Sequence, residues 1–505
     1  MASSSNILQL LKNSLVDITI LIVISALLAV DITKFGNIYA IDDSIFPYYN
    51  SEVRYKYLIF ALYGYNPWIG TINFFDIPNF LFNFPVYIFS FLPYSGTFFE
   101  FFLLSIGLIS TFKLITEMLP NDDKFLTRIA AYSGTLFFIL NPQGAGGLIY
   151  SMLTSIYVYS FLPLLLYSLR KYFLEQKFLN AITWLLITVP GFLFVFYTSI
   201  PDYALPLAIF LVPFFIFYSA KAIRFKHIIR VIVSLVLLLL FIIIKLDYLF
   251  AIYNSFVNNS DFIKASYHYW VGNAQYESLD LTLRGFDVYH GLPPVNVYYF
   301  TLLVVLIYSF ILLTSKASRS SDSIFIFSEF LLFTLLYSMP NVPFSSFWER
   351  LFFMFPIMVD LRTQYVIIPP FQGLLMSIAV GLGSYYLIKT LAFKRQFKIA
   401  SIILILLAII GTGFNVIAYG SPFVVHVPQE FLDVTEFINQ RASYNSSVII
   451  LPVFGTEDSQ SWYHGPSLFP FFLKSFPILG GYYYSVSGEE FKIINNVYYN
   501  IYEGD

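Results

Sequence analysis

Two adjacent carboxylates, Asp42 and Asp43, lie in the stretch NIYAIDDSIFPYYN (37–50), shortly after an apolar run at 15–30. A carboxylate acts as general base toward a hydroxyl within hydrogen-bond reach, or ligates a hard cation, while a neighbouring acid tunes or orients it. Successive side chains on an extended chain point to opposite faces, so only one of the pair is placed to face a given substrate. The competing reading is structural. Asp43 and Ser44 are both good N-cap residues and would cap a helix beginning at Ile45 or Phe46, with Pro47 in its first turn. Depth decides what the pair costs, because an acid at membrane depth is expensive and one in a wet loop is not. Ile41, Ile45 and Phe46 flank the pair, Tyr39, Tyr48, Tyr49, Tyr55 and Tyr57 crowd it, and Trp68 follows. A segment so rich in aromatics is expected at the headgroup level of a bilayer.

Other residues offer complementary chemistry. Arg362, in VDLRTQY just ahead of an apolar run, would hold a phosphate at headgroup depth, or else snorkel there paired with Asp360. Arg54 and Lys56 are further cations for a phosphate, in the same segment as the Asp pair. The string RGFDVYHG brings Asp287, Tyr289 and His290 together, residue types that bind hydroxyls and stack on a sugar ring, although glycine and capping residues suit a plain turn equally well. Asp76, in FFDIPNF, is a second acid of the first long loop, or the cap of a helix with Pro78 in its first turn. Histidines are few and none are spaced for a metal site. No cofactor is called for, and a divalent cation beside the carboxylates is left open. NPQGAGG lacks the Lys-Ser/Thr of a nucleotide loop and reads as a tight turn.

The elements that must position these groups are membrane spans. Of 505 residues 58% are hydrophobic and 11% charged, with a mean hydropathy of +0.72, outside the range of soluble domains. The 40 Tyr and 58 Phe suit a chain facing lipid and its interfaces. A net charge of −2 gives no sign of nucleic acid as a partner, and the absence of cysteine excludes thiolate catalysis and Cys-based metal sites. Runs near the length a helix needs to cross lie at 15–30, 97–118, 126–140, 148–168, 179–197, 203–219, 228–246, 297–314, 324–339, 366–388 and 399–419, which makes about eleven spans. The first has no cleavage site after it and is read as a retained span.

Lys and Arg fix the expected orientation. Lys124 and Arg128; Arg170, Lys171 and Lys177; Lys221, Arg224, Lys226 and Arg230; Lys316 and Arg319; and Lys389, Lys394, Arg395 and Lys398 fall in alternate short loops, which are therefore cytoplasmic. The N-terminus is then inside and the C-terminus outside. The N-glycosylation sequons at Asn258 and Asn445 both land on external segments. Long external loops are expected at 31–96, 247–296 and 340–365. From 420 to 505 the composition shifts: VPQEFLDVTEFI reads as an amphipathic helix and VIILPVFG as a buried strand, the opening of an external α/β domain. It stops at EGD without a closing element, as a truncated domain would.

This plan, with an acidic first external loop, many spans and an external C-terminal α/β segment, resembles the GT-C class of membrane glycosyltransferases. More narrowly, IDDSIFPYY, GGLIYSMLTSIYVYSFLPLLLYSLRKY, PIMVDLRTQYVIIPPFQGLL, VPQEFLDVTEFI and VIILPVFG look like archaeal and actinobacterial relatives of the membrane arabinofuranosyltransferases. The resemblance covers most of the chain by architecture. It implies an all-α polytopic membrane fold (1–419) and an external segment (420–505) in the cell membrane. It also implies transfer of a sugar from a polyprenyl-phosphate donor to an external glycan, glycolipid or glycoprotein acceptor, with the catalytic acid in the first external loop. The W-W-D-x-G signature of oligosaccharyltransferases has no match; the nearest string, SWYHG at 461–465, lacks the acid. An oligosaccharyltransferase-like enzyme and a transporter or flippase of lipid-linked substrates are the alternatives. A transporter tends to show inverted repeats and polar groups in mid-membrane, whereas no clear repeat is evident here and the expected spans hold few central charges, Asp17 and Lys113 lying near cytoplasmic ends.

Overall fold

The computed structural model describes residues 4–33, 35, 38–41, 44–46, 65–66, 71–72, 84–85, 87–89, 91–120, 122–141, 153–197, 204–224, 227–244, 260–272, 321–339, 345–355, 358, 361, 367–391, 399, 402–403, 424–425, 427–442, 448–449, 458–460, 463–465 and 478–479. Helix dominates. The helices are α1 (Ser4–Thr33), α2 (Ser95–Met118), α3 (Lys124–Leu140), α4 (Leu153–Leu174), α5 (Phe178–Tyr197) and α6 (Ala204–Arg224). They continue with α7 (Ile228–Ile244), α8 (Ser260–Gly272), α9 (Ser321–Tyr337), α10 (Ser345–Met354), α11 (Pro369–Leu391) and α12 (Gln429–Arg441). Among the described residues five stretches are long and apolar enough to cross a bilayer: Leu15–Thr33, Ser95–Met118, Phe178–Val195, Leu205–Arg224 and Pro369–Thr390. All five coincide with runs expected from the sequence. Helices α3, α7 and α9 have 17 residues each and reach about 25 Å at 1.5 Å per residue. The expected span at 297–314, and all of 399–419 except residues 399 and 402–403, lies outside the described residues.

The chain falls into two compact units, one of 1–23, 103–149 and 154–420, the other of 24–102, 150–153 and 421–505. In the first, α11 is the buried centre: 94% of its apolar window lies inside the protein, against 22% for α5. It can be central because small residues let a backbone come close where lipid offers no hydrophobic drive. Ala130 and Gly134 on α3 meet Ser377 and Gly381 on α11, and Ile115 of α2 wedges against both glycines. On its other side Phe371 packs against Phe210 of α6 and Phe333 of α9, with ring centroids 5.3 and 5.4 Å apart. Gly107 of α2 similarly faces the backbone of Ser160, and Gly191 of α5 that of Leu165, both on α4. Pro163, Pro190 and Pro213 stand inside α4, α5 and α6, where neighbouring helices can satisfy the carbonyl each proline frees. Asp123 caps α3, its carboxylate accepting from the Leu126 amide at 3.0 Å.

The second unit holds the strands. β1 (Ile38–Ile41), β2 (Ser44–Phe46) and β5 (Val424–Val425) form an antiparallel sheet in the order β2-β1-β5. β3 (Tyr65–Asn66) pairs with β4 (Thr71–Ile72), and β7 (Asp458–Gln460) with β8 (Tyr463–Gly465), both antiparallel. β6 (Val448–Ile449) runs parallel to β9 (Ile478–Leu479). The expected amphipathic segment near 429 is α12, with Thr435 and Asn439 buried and Val434 and Phe437 exposed.

Candidate functional site

Strands stand on either side of the candidate Asp pair. β1 and β2 pair in the register Tyr39↔Phe46, Ala40↔Ile45, Ile41↔Ser44. In sequence Asp42 and Asp43 fall between Ile41 and Ser44; they themselves lie outside the described residues. The alternative of a helix beginning at Ile45 or Phe46 is overturned, because both belong to β2. The physical reason is local: a β-branched and an aromatic residue favour strand, and Pro47 drives the residue before it to extended backbone. β1 also pairs with β5 through Ile38↔Val425 and Tyr39↔Val424. The strand that precedes Asp42 is therefore held on both edges, one of them by the 420–505 segment, a link that sequence reasoning missed.

The ends of the first long loop are tied together as well. Thr33, in the last turn of α1, shares a hydrogen bond of 2.7 Å with Thr97, in the first turn of α2. The neighbouring Phe35 and Tyr94 both have φ of 55°, left-handed backbone that bulky residues rarely adopt and that costs about 1–3 kcal/mol each. Their rings meet edge to face at 5.2 Å, so the two strained residues brace each other. One turn on from Thr97 stands Glu100, only 4% exposed, whose Oε1 has no hydrogen-bond partner among the described residues. A buried carboxyl in such a place is a candidate functional position. Its signal was present in the sequence as the single acid of SGTFFEFFLL, but burial was not.

The remaining candidates, Arg54, Lys56, Asp76, Asp287, Tyr289, His290, Arg362, and the sequon residues Asn258 and Asn445, lie outside the described residues. Among the described residues no three His, Asp or Glu side chains converge as a metal site.

Five of the cations expected in the short loops, Arg128, Arg170, Lys171, Lys221 and Lys389, pair with acids in the first unit. Arg128 and Tyr132 of α3 donate to Asp17 at 2.5 and 2.8 Å. Lys221 and Arg170 reach Asp322 at 2.6 and 3.5 Å, while Arg170 and Lys171 reach Glu117 at 3.6 and 2.6 Å. Lys389 pairs with Asp122 at 2.6 Å, and the Tyr385 hydroxyl donates to the same carboxylate. Hydrogen bonds from Lys389 and then Tyr385 hold Asp122 down at about 2. These contacts fasten α1 to α3, the ends of α2, α4, α6 and α9 to one another, and α11 to the connection between α2 and α3.

No protein-family model matches the sequence, and no curated protein matches it. Among solved structures, the cryo-EM structure of the arabinofuranosyltransferase AftD from Mycobacteria is similar with a TM-score of 0.56 at 11% identity, covering 92% of this chain and 31% of that one. The fold is GT-C-like. A mutant form of the same mycobacterial enzyme gives a TM-score of 0.54 at 11% identity, over 92% of this chain and 33% of that one. The chain thus spans about a third of the length of those structures.

Proposed function

We propose that the chain is a membrane glycosyltransferase moving a sugar from a polyprenyl-phosphate donor to a glycan, glycolipid or glycoprotein acceptor outside the cell membrane. Asp42 or Asp43 takes the proton of the acceptor hydroxyl. The acceptor oxygen then bonds to the anomeric carbon from the face opposite the phosphate. The bond from that carbon to the phosphate oxygen breaks, and the lipid phosphate leaves with the electron pair, so the anomeric configuration inverts. Arg362, Arg54 or Lys56 neutralises the leaving phosphate. Asp287, Tyr289, His290 and Asp76 bind sugar hydroxyls and the ring face. A multi-pass arrangement with the N-terminus cytoplasmic and the C-terminus external puts Asn258 and Asn445 on the glycosylated side.

The observation that carries this reading is the paired β1 and β2 flanking Asp42 and Asp43 within a GT-C-like fold. A rigid two-strand frame is what a base needs if it is to keep its distance to a hydroxyl. The test is transfer by purified, lipid-reconstituted protein from a synthetic polyprenyl-phosphate arabinofuranose, with other polyprenyl-phosphate sugars in parallel. Asp42→Asn or Asp43→Asn is expected to abolish turnover while the protein still inserts and elutes as the wild type does. Full activity of both variants sinks the assignment.

One observation favours transport as a second reading. Glu329, midway along α9, is 5% exposed, and its Oε2 has no hydrogen-bond partner among the described residues. Mid-membrane carboxyls of this kind occur along transport pathways. Movement of a lipid-linked sugar across vesicles, lost in Glu329→Gln and intact in Asp42→Asn, would decide for it.

A further inference from the structure

Helix α10 has 10 residues, so it reaches about 15 Å and cannot cross a bilayer core of about 30 Å. An apolar stripe runs along one side of it, while Phe353, 43% exposed, stands apart from the stripe with its ring 5.0 Å from that of Tyr267 on α8. Phe347, Leu351, Met354 and Phe355 recur at the spacing of one helical stripe, the Phe355 amide continuing the helix by donating to the Leu351 carbonyl at 2.9 Å. Phe347, Met354 and Phe355 are 52%, 61% and 49% exposed, and Leu351 is half-buried. The face away from the stripe is fixed by α8. There Phe352 is fully buried, stacked on Trp270 at 5.1 Å and touching Tyr267 at 5.5 Å. Burial, and then the Glu349 carboxylate, push the Tyr267 hydroxyl up, so Glu349 stands on the α8 side. The helix therefore cannot roll its apolar stripe inward without breaking that aromatic contact.

The edges of the stripe are polar in a particular way. Trp348 borders it on one side, its indole nitrogen buried and without a hydrogen-bond partner among the described residues, and the exposed Arg350 borders it on the other. A guanidinium beside an apolar stripe matches the phosphate oxygens above the acyl chains of a phospholipid. Continuity supports this occupant: residues 355–368 lead from α10 to Pro369, the first residue of the membrane-crossing α11, and Met358 and Leu361 lie in short helical turns on the way.

We propose that α10 lies flat in the bilayer–water boundary, its Phe347–Leu351–Met354–Phe355 stripe among the acyl chains and Arg350 at the phospholipid headgroups, with α8 on its water side. The partner is the phospholipid surface itself, and the proposal does not depend on the transfer reaction.

The chain has no cysteine, so single-cysteine variants of the full chain can each be labelled at one place. F347C, M354C and E349C would carry an environment-sensitive nitrobenzoxadiazole probe in phosphatidylcholine–phosphatidylglycerol vesicles, each variant first checked for wild-type elution. Nitroxide-bearing lipids are expected to quench most of the signal at 347 and 354 and little at 349, while aqueous iodide does the reverse. Iodide quenching at 347 and 354 as strong as at 349 overturns the proposal. So does a dry but lipid-unquenched stripe, which would mean that protein covers it.

Discussion

Replacing Gly134 by Ala tests whether the bundle is built on the close approach of α3 to α11. A Cβ at 134 would stand 2.5 Å from Ile115 Cδ1 and 2.5 Å from the Ser377 carbonyl oxygen. The Ile115 methyl can swing away; the Ser377 carbonyl belongs to the backbone of α11. A comfortable contact for carbon is about 3.5 Å, so the two helices must part by about 1 Å. Overpacking of this kind costs about 1–3 kcal/mol, and the better helix propensity of Ala returns about 1 kcal/mol. Because the clash is with backbone, the net loss should be about 1–2 kcal/mol. Gly107→Ala is the internal control. Its Cβ would meet Phe138 Cε1 and the Ser160 Cα at 3.5 Å, an ordinary contact, so it keeps a propensity gain of up to about 1 kcal/mol. Gly191→Ala, 3.3 Å from the Leu165 Cα, should fall between them. The assay is the denaturant midpoint of the protein in mixed micelles, followed by Trp fluorescence. A Gly134→Ala variant at least as stable as Gly107→Ala would refute the packing account.

Three further outcomes follow from charged groups. Arg128→Met strips the 5%-exposed Asp17 of its cation and should cost about 1–3 kcal/mol, part of which is recovered when Asp17→Asn is added, as read by the same unfolding assay. Asp122 has its folded-state value lowered from 3.8 to about 2, so its contribution is present above pH 4 and is lost as pH falls toward 2. Asp122→Asn should accordingly weaken the protein at pH 7 and flatten its stability profile between those limits. Glu100→Leu removes a buried, unmatched carboxyl and should stabilise the fold by about 1–2 kcal/mol. If Glu100 belongs to the site, transfer activity falls in the same variant; a gain in stability with unchanged turnover would make it merely structural.

Spans were the most legible feature because they depend on composition over some twenty residues. The run expected at 97–118 is α2 (Ser95–Met118), and the one at 366–388 is α11. Helix partners were not legible. The spacings Ala130/Gly134 and Ser377/Gly381 can be read along each helix, yet nothing in either string says that they face one another. The same holds for charge: Arg128, Arg170, Lys221 and Lys389 announced themselves as loop cations, while their partners Asp17, Glu117, Asp322 and Asp122 were separate acids until the helix ends met.

At the Asp pair, sequence left two readings because Asp-Ser begins a helix or follows a strand with equal ease. What separates them is partly local and partly distant. Pro47 acts on Phe46 directly, but β5, which fixes the other edge of β1, lies near the far end of the chain. Glu100 shows the complementary failure: its chemistry is plain in the sequence and its dryness is not. These two facts bear on one another, since β1, β2 and Glu100 belong to the same compact unit. A base must be wet enough to meet an acceptor hydroxyl, whereas a buried carboxyl earns its place only by meeting a ligand or holding a proton. Loss of turnover in Asp42→Asn or Asp43→Asn, together with loss of turnover and gain of stability in Glu100→Leu, would assign the two acids different work in one site. Loss in the Asp variants alone would leave Glu100 as a strained element of the α2 entry, beside Phe35 and Tyr94.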